Sequence, residues 1–252
     1  MKYLVRLSYC GTAYAGFQVQ PNANTIQAEL THAAEKIFKS ECLVSGCSRT
    51  DSGVHAYEYY ATVAPVQGGA DIPPEKLPRA FSSFLPASIS VMETWKVDDE
   101  FSIRRAVQGK EYVYLLWCKE YADPFLEDRA WHYKRTPDIS KMQKAAKAFI
   151  GTHDFAAFMA SGSSIIDTVR TITDCRVEEE PSGIVKIYVA ADGFLYNMVR
   201  IIVGTLVYVS EGKISPDAVS DIILSKDRKN AGKTAPAAGL YLNKVFIDFE
   251  RR

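Results

Sequence analysis

The sequence predicts an α+β (mixed α/β) fold built from two similar halves, and three observations favour it. The 252 residues are 47% hydrophobic and 24% charged, which is typical of an ordered chain with a substantial core. Runs of β-branched and aromatic residues alternate with stretches whose apolar residues follow the period of a helix. The order of strands and helices in residues 1–105 recurs in residues 106–252, so we expect these ranges to be two domains.

The first half begins with a strand from Lys2 to Tyr9, rich in β-branched and aromatic residues. Asn24 is a good N-cap for the helix that follows, and Gln27 three residues later would complete a capping box. Two further strands are expected, one beginning at Leu43–Val44 and one over His55–Ala64. The apolar residues of the helix keep helical spacing: Ile26, Leu30, Ala33, Ala34, Ile37 and Phe38.

Three elements lie around the boundary between the halves. A short helix is predicted from Leu77 to Leu85 and would be ended by Pro86. Ser88–Val97 alternates apolar and polar residues, as a half-buried strand does. Gly109–Lys119 is expected to be a central strand because both of its faces are apolar. Those faces carry Tyr112, Tyr114 and Leu116, and Val113, Leu115 and Trp117.

The second half repeats this arrangement. Gly151 stands at the C-cap position of a helix marked by apolar residues from Met142 to Ile150. Thr168–Glu178 and Ile184–Ala190 predict a hairpin. Gly193–Ser210 predicts a strongly apolar helix that is marginal in length and too polar to span a membrane. Two elements close the chain, a helix over Pro216–Leu224 and a strand over Tyr241–Phe249.

Charge and cysteine content limit the possible functions. Thirty basic and thirty acidic residues give no net charge, so any RNA site would have to be a local basic patch. The five cysteines are odd in number and form no C-x-x-C pair, which argues against a disulfide framework or a metal site and favours a reducing cytosol. The Met1–Arg6 segment is too short and too charged for a signal peptide. We therefore expect a cytoplasmic protein with no metal, no cofactor and no membrane segment.

The Gly46–His55 segment combines an arginine and a carboxylate among small residues. In an extended chain Arg49 and Asp51 would project to the same side, since side chains alternate with a period of two. A neighbouring cation favours the ionised form of a carboxylate, so Asp51 could act as a nucleophile or a base. Asp-Ser-Gly is also an ordinary turn sequence, and the residues alone favour that interpretation.

Arg200 is the second residue that suggests a function. It is the only charged residue between Asp192 and Glu211, inside a predicted helix that is apolar on most sides. A desolvated guanidinium without a partner is unfavourable by several kcal/mol, so a carboxylate is expected to meet it. Alternatively, Arg200 extends from the helix edge to water. Tyr112 on the central strand has a similar alternative, because core packing alone would explain it.

The Gly46–His55 segment is one of several motifs that occur in a set order. An earlier one is Tyr9–Gln18, and later ones are Phe101–Arg104, Lys110–Tyr112, Asn197–Arg200 and Thr234–Leu242. Together they resemble the motifs of the TruA family of tRNA pseudouridine synthases, whose signature is G-x-x-R-T-D-x-G-V-H-A. The resemblance covers nearly the whole chain. It implies a large antiparallel sheet flanked by helices, with an active-site cleft between the two halves.

The resemblance also implies a reaction, the isomerisation of uridine to pseudouridine in the anticodon stem-loop of tRNA. It makes Asp51 the essential carboxylate, Arg200 its ion-pair partner and Tyr112 the residue stacked on the target uracil. Arg49 either tunes Asp51 or fills the space of the flipped nucleotide, and the family favours the second role. Attack of Asp51 at C1′, addition at C6 and proton abstraction at C2′ all remain open.

RNA contacts are expected from the basic and aromatic residues Phe101, Arg104, Arg105 and Lys110. The loop from Gly162 aligns with a tRNA-contacting family segment and adds Ser163 and Ser164, although a plain linker fits equally well. The resemblance further implies a homodimer. Departures from the family pattern, such as Cys10 for aspartate and Ser102 for histidine, leave the target open. Two alternatives therefore stand: the same chemistry on a different RNA, or a non-catalytic RNA-binding protein of the same fold.

Overall fold

The computed structural model describes residues 1–163 and 165–249 of the chain. Six α-helices occur within these residues: α1 (Ile26–Phe38), α2 (Leu77–Ser82), α3 (Ile103–Ala106), α4 (Ile139–Ala146), α5 (Met198–Ser210) and α6 (Val219–Ser225). The same residues form the strands β1 (Lys2–Tyr9), β2 (Cys42–Gly46), β3 (His55–Pro65), β4 (Ile89–Val97), β5 (Val107–Trp117), β6 (Trp131–His132), β7 (Gly151–Asp154), β8 (Val169–Glu179), β9 (Ile184–Ala191) and β10 (Leu240–Ile247). β1 pairs antiparallel with β3 and β4, and the pairs β2–β3, β5–β9, β7–β8 and β8–β9 are also antiparallel, whereas β5 and β6 are parallel. The predicted mixed α/β class with extensive antiparallel pairing is confirmed.

The chain divides into two compact units, one formed by Met1–Gln108 with the chain from Leu242 onward, the other by Gly109–Tyr241. In the first unit the strands pair in the order β4-β1-β3-β10, and β2 also pairs with β3. Helix α1 buries its apolar residues, and the Phe38 ring at its end stacks on Tyr3 of β1 with centroids 5.3 Å apart. The α1 spacing that predicted a buried face is therefore confirmed.

In the second unit the strands pair in the order β5-β9-β8-β7. The hairpin of β8 and β9 is confirmed. All five residues from Tyr112 to Leu116 of β5 are buried, as its two apolar faces predicted. Helix α5 is buried along most of its length and packs beside α4. No helix of the described residues has the length and apolar character needed to cross a bilayer.

The predicted start of α1 was wrong in detail. Thr25, not Asn24, is the N-cap: its backbone is extended, and its hydroxyl accepts a hydrogen bond from the Ala28 amide at 3.3 Å. Gln27 makes no capping box, because both ends of its amide have tertiary partners. Its Oε1 accepts from the Val19 amide at 2.9 Å, and its Nε2 donates to the Val44 carbonyl at 2.8 Å.

Three other helix ends also differ from the prediction. The helix predicted from Gly193 begins at Met198, because Asn197 has left-handed backbone angles that a helix cannot continue through. Arg200 therefore lies in the first turn of α5 rather than in its middle. Gly151 is the first residue of β7, since the helix before it has already given way to a 3-10 turn that ends at Phe149. Helix α2 ends at Ser82, before the predicted end.

Candidate active site

Residues 47–54 join β2 to β3 and carry Arg49 and Asp51. Arg49 is exposed and Asp51 is half-buried, while Thr50 between them is buried. The Thr50 hydroxyl shares a hydrogen bond of 2.8 Å with the hydroxyl of Tyr9, at the end of β1. The Val54 amide donates to the Asp51 carbonyl at 3.2 Å and closes a turn directly after the aspartate. The turn predicted here is present, and it fixes the backbone of the half-buried aspartate.

Residues 47–54 are called here the Asp51 loop. The loop after β1 packs against them. The Phe17 amide donates to the Thr50 carbonyl at 3.3 Å, and the Gly53 amide donates to the Tyr14 carbonyl at 3.2 Å. Gly16 has a φ of +89°, and a β-carbon there would overlap the Thr50 carbonyl oxygen. The opening motif and the aspartate motif are thus one packed assembly, in which the first determines the backbone path of the second.

Sequence reasoning missed two buried side chains whose polar groups hold the Asp51 loop and the loop after β1. His55 is 1% exposed, and its Nδ1 accepts a hydrogen bond from the Gly11 amide at 3.0 Å. The Tyr59 hydroxyl accepts from the Ser48 amide at 3.3 Å and donates to the Ser48 carbonyl. The Tyr59 ring stacks on Phe17 with centroids 4.4 Å apart. The polar groups of His55 and Tyr59, on the strand directly after the aspartate segment, were the available signal.

Arg200 is half-buried, and two neutral oxygen atoms of the second unit hold its guanidinium. Its Nη1 donates to Oδ1 of Asn197 at 2.7 Å, and its Nε donates to the Ala235 carbonyl at 2.7 Å. The Ala235 amide donates back to the Arg200 carbonyl at 3.0 Å. These two short hydrogen bonds hold the Nε and Nη1 atoms of the guanidinium against fixed groups of the second unit.

The segment that supplies the Ala235 carbonyl lies directly against α5. A β-carbon on Gly204 would overlap the carbonyl oxygen of Lys233, so glycine permits this close approach. Thr205 reinforces it, because its hydroxyl accepts from the Gly232 amide at 2.9 Å while donating to the Ile201 carbonyl at 2.8 Å. The position of the Ala235 carbonyl therefore depends on Gly204 and Thr205, in the middle of α5.

Tyr112 lies on β5 opposite Val189 and is 6% exposed. The Phe194 ring meets the Tyr112 ring edge-on, with centroids 5.0 Å apart. Two residues along the same strand, the Tyr114 hydroxyl donates to the Pro236 carbonyl at 2.7 Å. Burial holds the pKa of Tyr114 far above its usual range, and the nearby Arg200 charge opposes that shift. The Tyr114 phenol is therefore a neutral hydrogen-bond donor.

The predicted RNA-contacting residues differ in exposure. In the first unit Arg104 and Arg105 are exposed on α3, whereas Phe101 is 7% exposed and its carbonyl accepts from Lys2 Nζ at 3.1 Å. In the second unit Lys110 of β5 is half-buried. Ser163 is half-buried too, and its hydroxyl accepts from the Ile165 amide at 3.2 Å. Ser164 lies outside the described residues. Among those described, no group of three or more His, Cys, Asp or Glu side chains could hold a metal ion.

A family model and several curated proteins are similar to this chain. A family model described as tRNA pseudouridine synthase matches residues 145–248. A tRNA pseudouridine synthase A of Thermoanaerobacter sp. (strain X514) is 46% identical over 242 residues, which cover 96% of this chain and 98% of that protein. A tRNA pseudouridine synthase A 2 of Clostridium perfringens (strain 13 / Type A) is 43% identical over 95% of this chain and 97% of that protein. A tRNA pseudouridine synthase A of Bacillus pumilus (strain SAFR-032) is 40% identical over 98% of this chain and all of that protein.

Proposed function

The chain belongs to the tRNA pseudouridine synthase A family, and we propose that it isomerises uridine in tRNA with Asp51 as the essential carboxylate. The observation that best supports this role is the placement of Asp51 in its loop. The aspartate is half-buried, directly after the buried Thr50 and directly before a hydrogen-bonded turn. An aspartate whose backbone is fixed in this way meets a substrate with less loss of conformational freedom than one on a mobile loop.

The reaction moves the uracil from its N1 attachment to its C5 attachment on the ribose. The N1–C1′ bond breaks and the C5–C1′ bond forms, while C5 loses a proton and N1 gains one. No oxidant, reductant or group donor enters this balance. Asp51 would begin it by attack on C1′ or on C6, or by removal of the C2′ proton, and each route needs an ionised carboxylate close to the nucleoside.

Arg200 is proposed to pair with Asp51, on the strength of its match to the family's M-V-R motif. Asn197 and Ala235 hold the guanidinium through neutral oxygen atoms, so neither of these partners cancels its charge. A cation beside a carboxylate favours the ionised form that the chemistry requires. The two acceptors together orient the planar guanidinium, which suits a directed ion pair better than a mobile one.

Tyr112 and Arg49 are proposed to act on the nucleotide. The Tyr112 ring would stack on the target uracil, and its phenol could take part in the final loss of the C5 proton. Arg49 is exposed, as a side chain that enters the space of an extruded nucleotide must be. Arg104, Arg105, Lys110, Ser163 and Ser164 are proposed RNA contacts, and Phe101 would support them from its buried position.

We further propose the anticodon arm of tRNA as the target, a homodimer as the active assembly and the cytoplasm as the location. The first two are carried over from the family motifs. The third rests on the odd number of cysteines and the lack of a C-x-x-C pair in the sequence, which favour a reducing compartment.

Release of tritium from tRNA labelled at C5 of uridine tests the assignment of Asp51. Wild type should release tritium, Asp51→Asn should release only background, and Asp221→Asn, an exposed aspartate of α6, should match wild type. Background release from all three would favour a non-catalytic RNA-binding protein. Mapping pseudouridine in cellular RNA with and without the gene tests the target, and unchanged anticodon arms would exclude it in favour of another RNA.

A further inference from the structure

Asn197, the residue before α5, has a left-handed backbone with φ 59° and ψ 12°. Asparagine is among the few residues other than glycine that are common in this conformation. An asparagine at this position usually accepts a hydrogen bond from a backbone amide of the first helical turn. Asn197 makes no such bond. Its Oδ1 instead accepts from Nη1 of Arg200 at 2.7 Å, so the side-chain amide binds the guanidinium and does not cap the helix.

The backbone around Asn197 is held on both sides. The Asn197 carbonyl accepts from the Ile201 amide at 3.0 Å, and the neighbouring Tyr196 carbonyl accepts from the Ala160 amide at 3.0 Å. The Met198 amide donates to the Leu195 carbonyl at 3.0 Å. Because the main chain is anchored before and after it, Asn197 presents Oδ1 as a fixed acceptor.

The second acceptor, the Ala235 carbonyl, approaches the guanidinium at Nε. Ala235 is fully buried, and its segment is held against α5 by the Thr205 hydroxyl. Hydrogen bonds at both Nε and Nη1 determine the plane of a guanidinium, since its nitrogen atoms are coplanar. The direction in which Arg200 offers its charge is therefore set by one side-chain amide and one main-chain carbonyl.

We propose that Asn197 is a positioning residue for the reaction: its amide aims the Arg200 guanidinium, and its neutrality leaves that charge for the reacting carboxylate. This inference rests on the proposed pairing of Arg200 with Asp51. A carboxylate at position 197 would have almost the same shape but would compete for the guanidinium. Glycine would keep the left-handed backbone and remove the acceptor.

Asn197→Gly and Asn197→Asp separate the two parts of the proposal. Asn22 is a matched control, because it is exposed and also left-handed, with a φ of 57°, so Asn22→Gly and Asn22→Asp make the same chemical changes. Each variant would be compared with wild type by single-turnover rate with excess enzyme, tRNA dissociation constant, melting temperature and the pH dependence of the rate. Burial holds the pKa of Tyr114, the phenol near Arg200, far above neutral pH, so its ionisation does not contribute to the pH dependence of the rate.

Asn197→Gly should lower the single-turnover rate roughly 10–100-fold, by analogy with the loss of the residues that orient metal ligands, with tRNA affinity within about twofold. Asn197→Asp should lower it further. It should also move the acidic limb of the rate profile to higher pH, because Asp51 then shares its cation and is ionised over a narrower range. Both Asn22 variants should match wild type in rate and in profile.

Two results would overturn the proposal. Wild-type rates in both Asn197 variants, with Arg200→Ala inactive, would show that Arg200 needs no such orientation. A loss of melting temperature and rate with an unmoved acidic limb in Asn197→Asp would make Asn197 a structural residue only. Wild-type activity in Arg200→Ala is a different outcome, since it would remove the proposed ion pair on which the inference rests.

Discussion

Arg200 and Ala235 exchange two hydrogen bonds across 35 residues of sequence: the arginine Nε donates to the alanine carbonyl at 2.7 Å, and the alanine amide donates to the arginine carbonyl at 3.0 Å. The side chain proposed to activate Asp51 is thereby tied to the segment before β10. Any change that displaces this segment should alter the position of the Arg200 guanidinium and so lower the reaction rate. Gly204 is the best place to test this, because it lies directly against the segment.

Gly204→Ala should destabilise the protein although alanine is the better helix former by about 1 kcal/mol. The new methyl group would overlap the Lys233 carbonyl oxygen, and overpacking of this kind costs about 1–3 kcal/mol. Urea unfolding should show a lower midpoint, and the single-turnover rate should fall as the Ala235 carbonyl moves. Ser220→Ala, at an exposed position of α6, controls for alanine in a helix and should lower neither quantity. A stabilised and fully active Gly204→Ala would contradict this prediction.

Gly16→Ala should cost more stability than Gly212→Ala. Both glycines have left-handed φ angles, +89° and +72°, so each substitution carries a backbone penalty of about 1–2 kcal/mol. Only the methyl group at Gly16 would also overlap the Thr50 carbonyl, since a β-carbon at Gly212 would meet open space. Thermal unfolding measures the difference, and tritium release should fall in Gly16→Ala alone. Equal costs at the two positions would show that the loop after β1 does not constrain the Asp51 loop.

Arg200→Ala should lower the rate roughly 100–1000-fold, as expected for loss of one preorganised electrostatic partner, with tRNA affinity largely kept. Arg200→Lys should recover only part of this loss. Lysine restores a positive charge but lacks the rigid planar donors that reach Asn197 and Ala235 together. Rates from rapid quench and affinities from filter binding separate the two effects. Weak tRNA binding with normal turnover of the bound substrate would assign Arg200 to RNA recognition instead.

Tyr60 should make the protein less stable at high pH. Burial, with a smaller effect from Glu58, raises the pKa of Tyr60 to about 12 from an ordinary value of 10.0. Between about pH 10 and 12 the unfolded chain loses this proton while the folded chain keeps it, so stability is full below pH 10 and decreases as the pH rises. The slope from this one group is at most about 1.4 kcal/mol per pH unit.

Urea unfolding between pH 9 and 12 tests this expectation. Tyr60→Phe should flatten the decrease in the free energy of unfolding, whereas Tyr121→Phe, at a tyrosine that is 77% exposed, should leave the slope unchanged. Identical slopes in wild type and Tyr60→Phe would mean that Tyr60 does not control alkaline stability.

Local patterns in the sequence were enough for most elements and for the reaction class. The strand Lys2–Tyr9 was predicted with its observed bounds. The buried face of α1 was predicted from the spacing of its apolar residues. These features depend on side-chain periodicity, which is a property of adjacent residues. The motifs around Asp51 and Arg200 were sufficient to identify the family. The function of the chain therefore followed from short segments read in order.

Only the tertiary structure decided how those segments are held. It places the start of α5 at a left-handed Asn197, gives Arg200 the Ala235 carbonyl as an acceptor, and returns β10 to pair with β3 in the first unit. It also shows that the Gly16 backbone lies against Thr50. Each of these facts joins residues far apart in sequence or requires a backbone angle that neighbouring residues do not dictate. Periodicity and propensity describe one segment at a time, so the orientation of the proposed active groups emerged only from the folded chain.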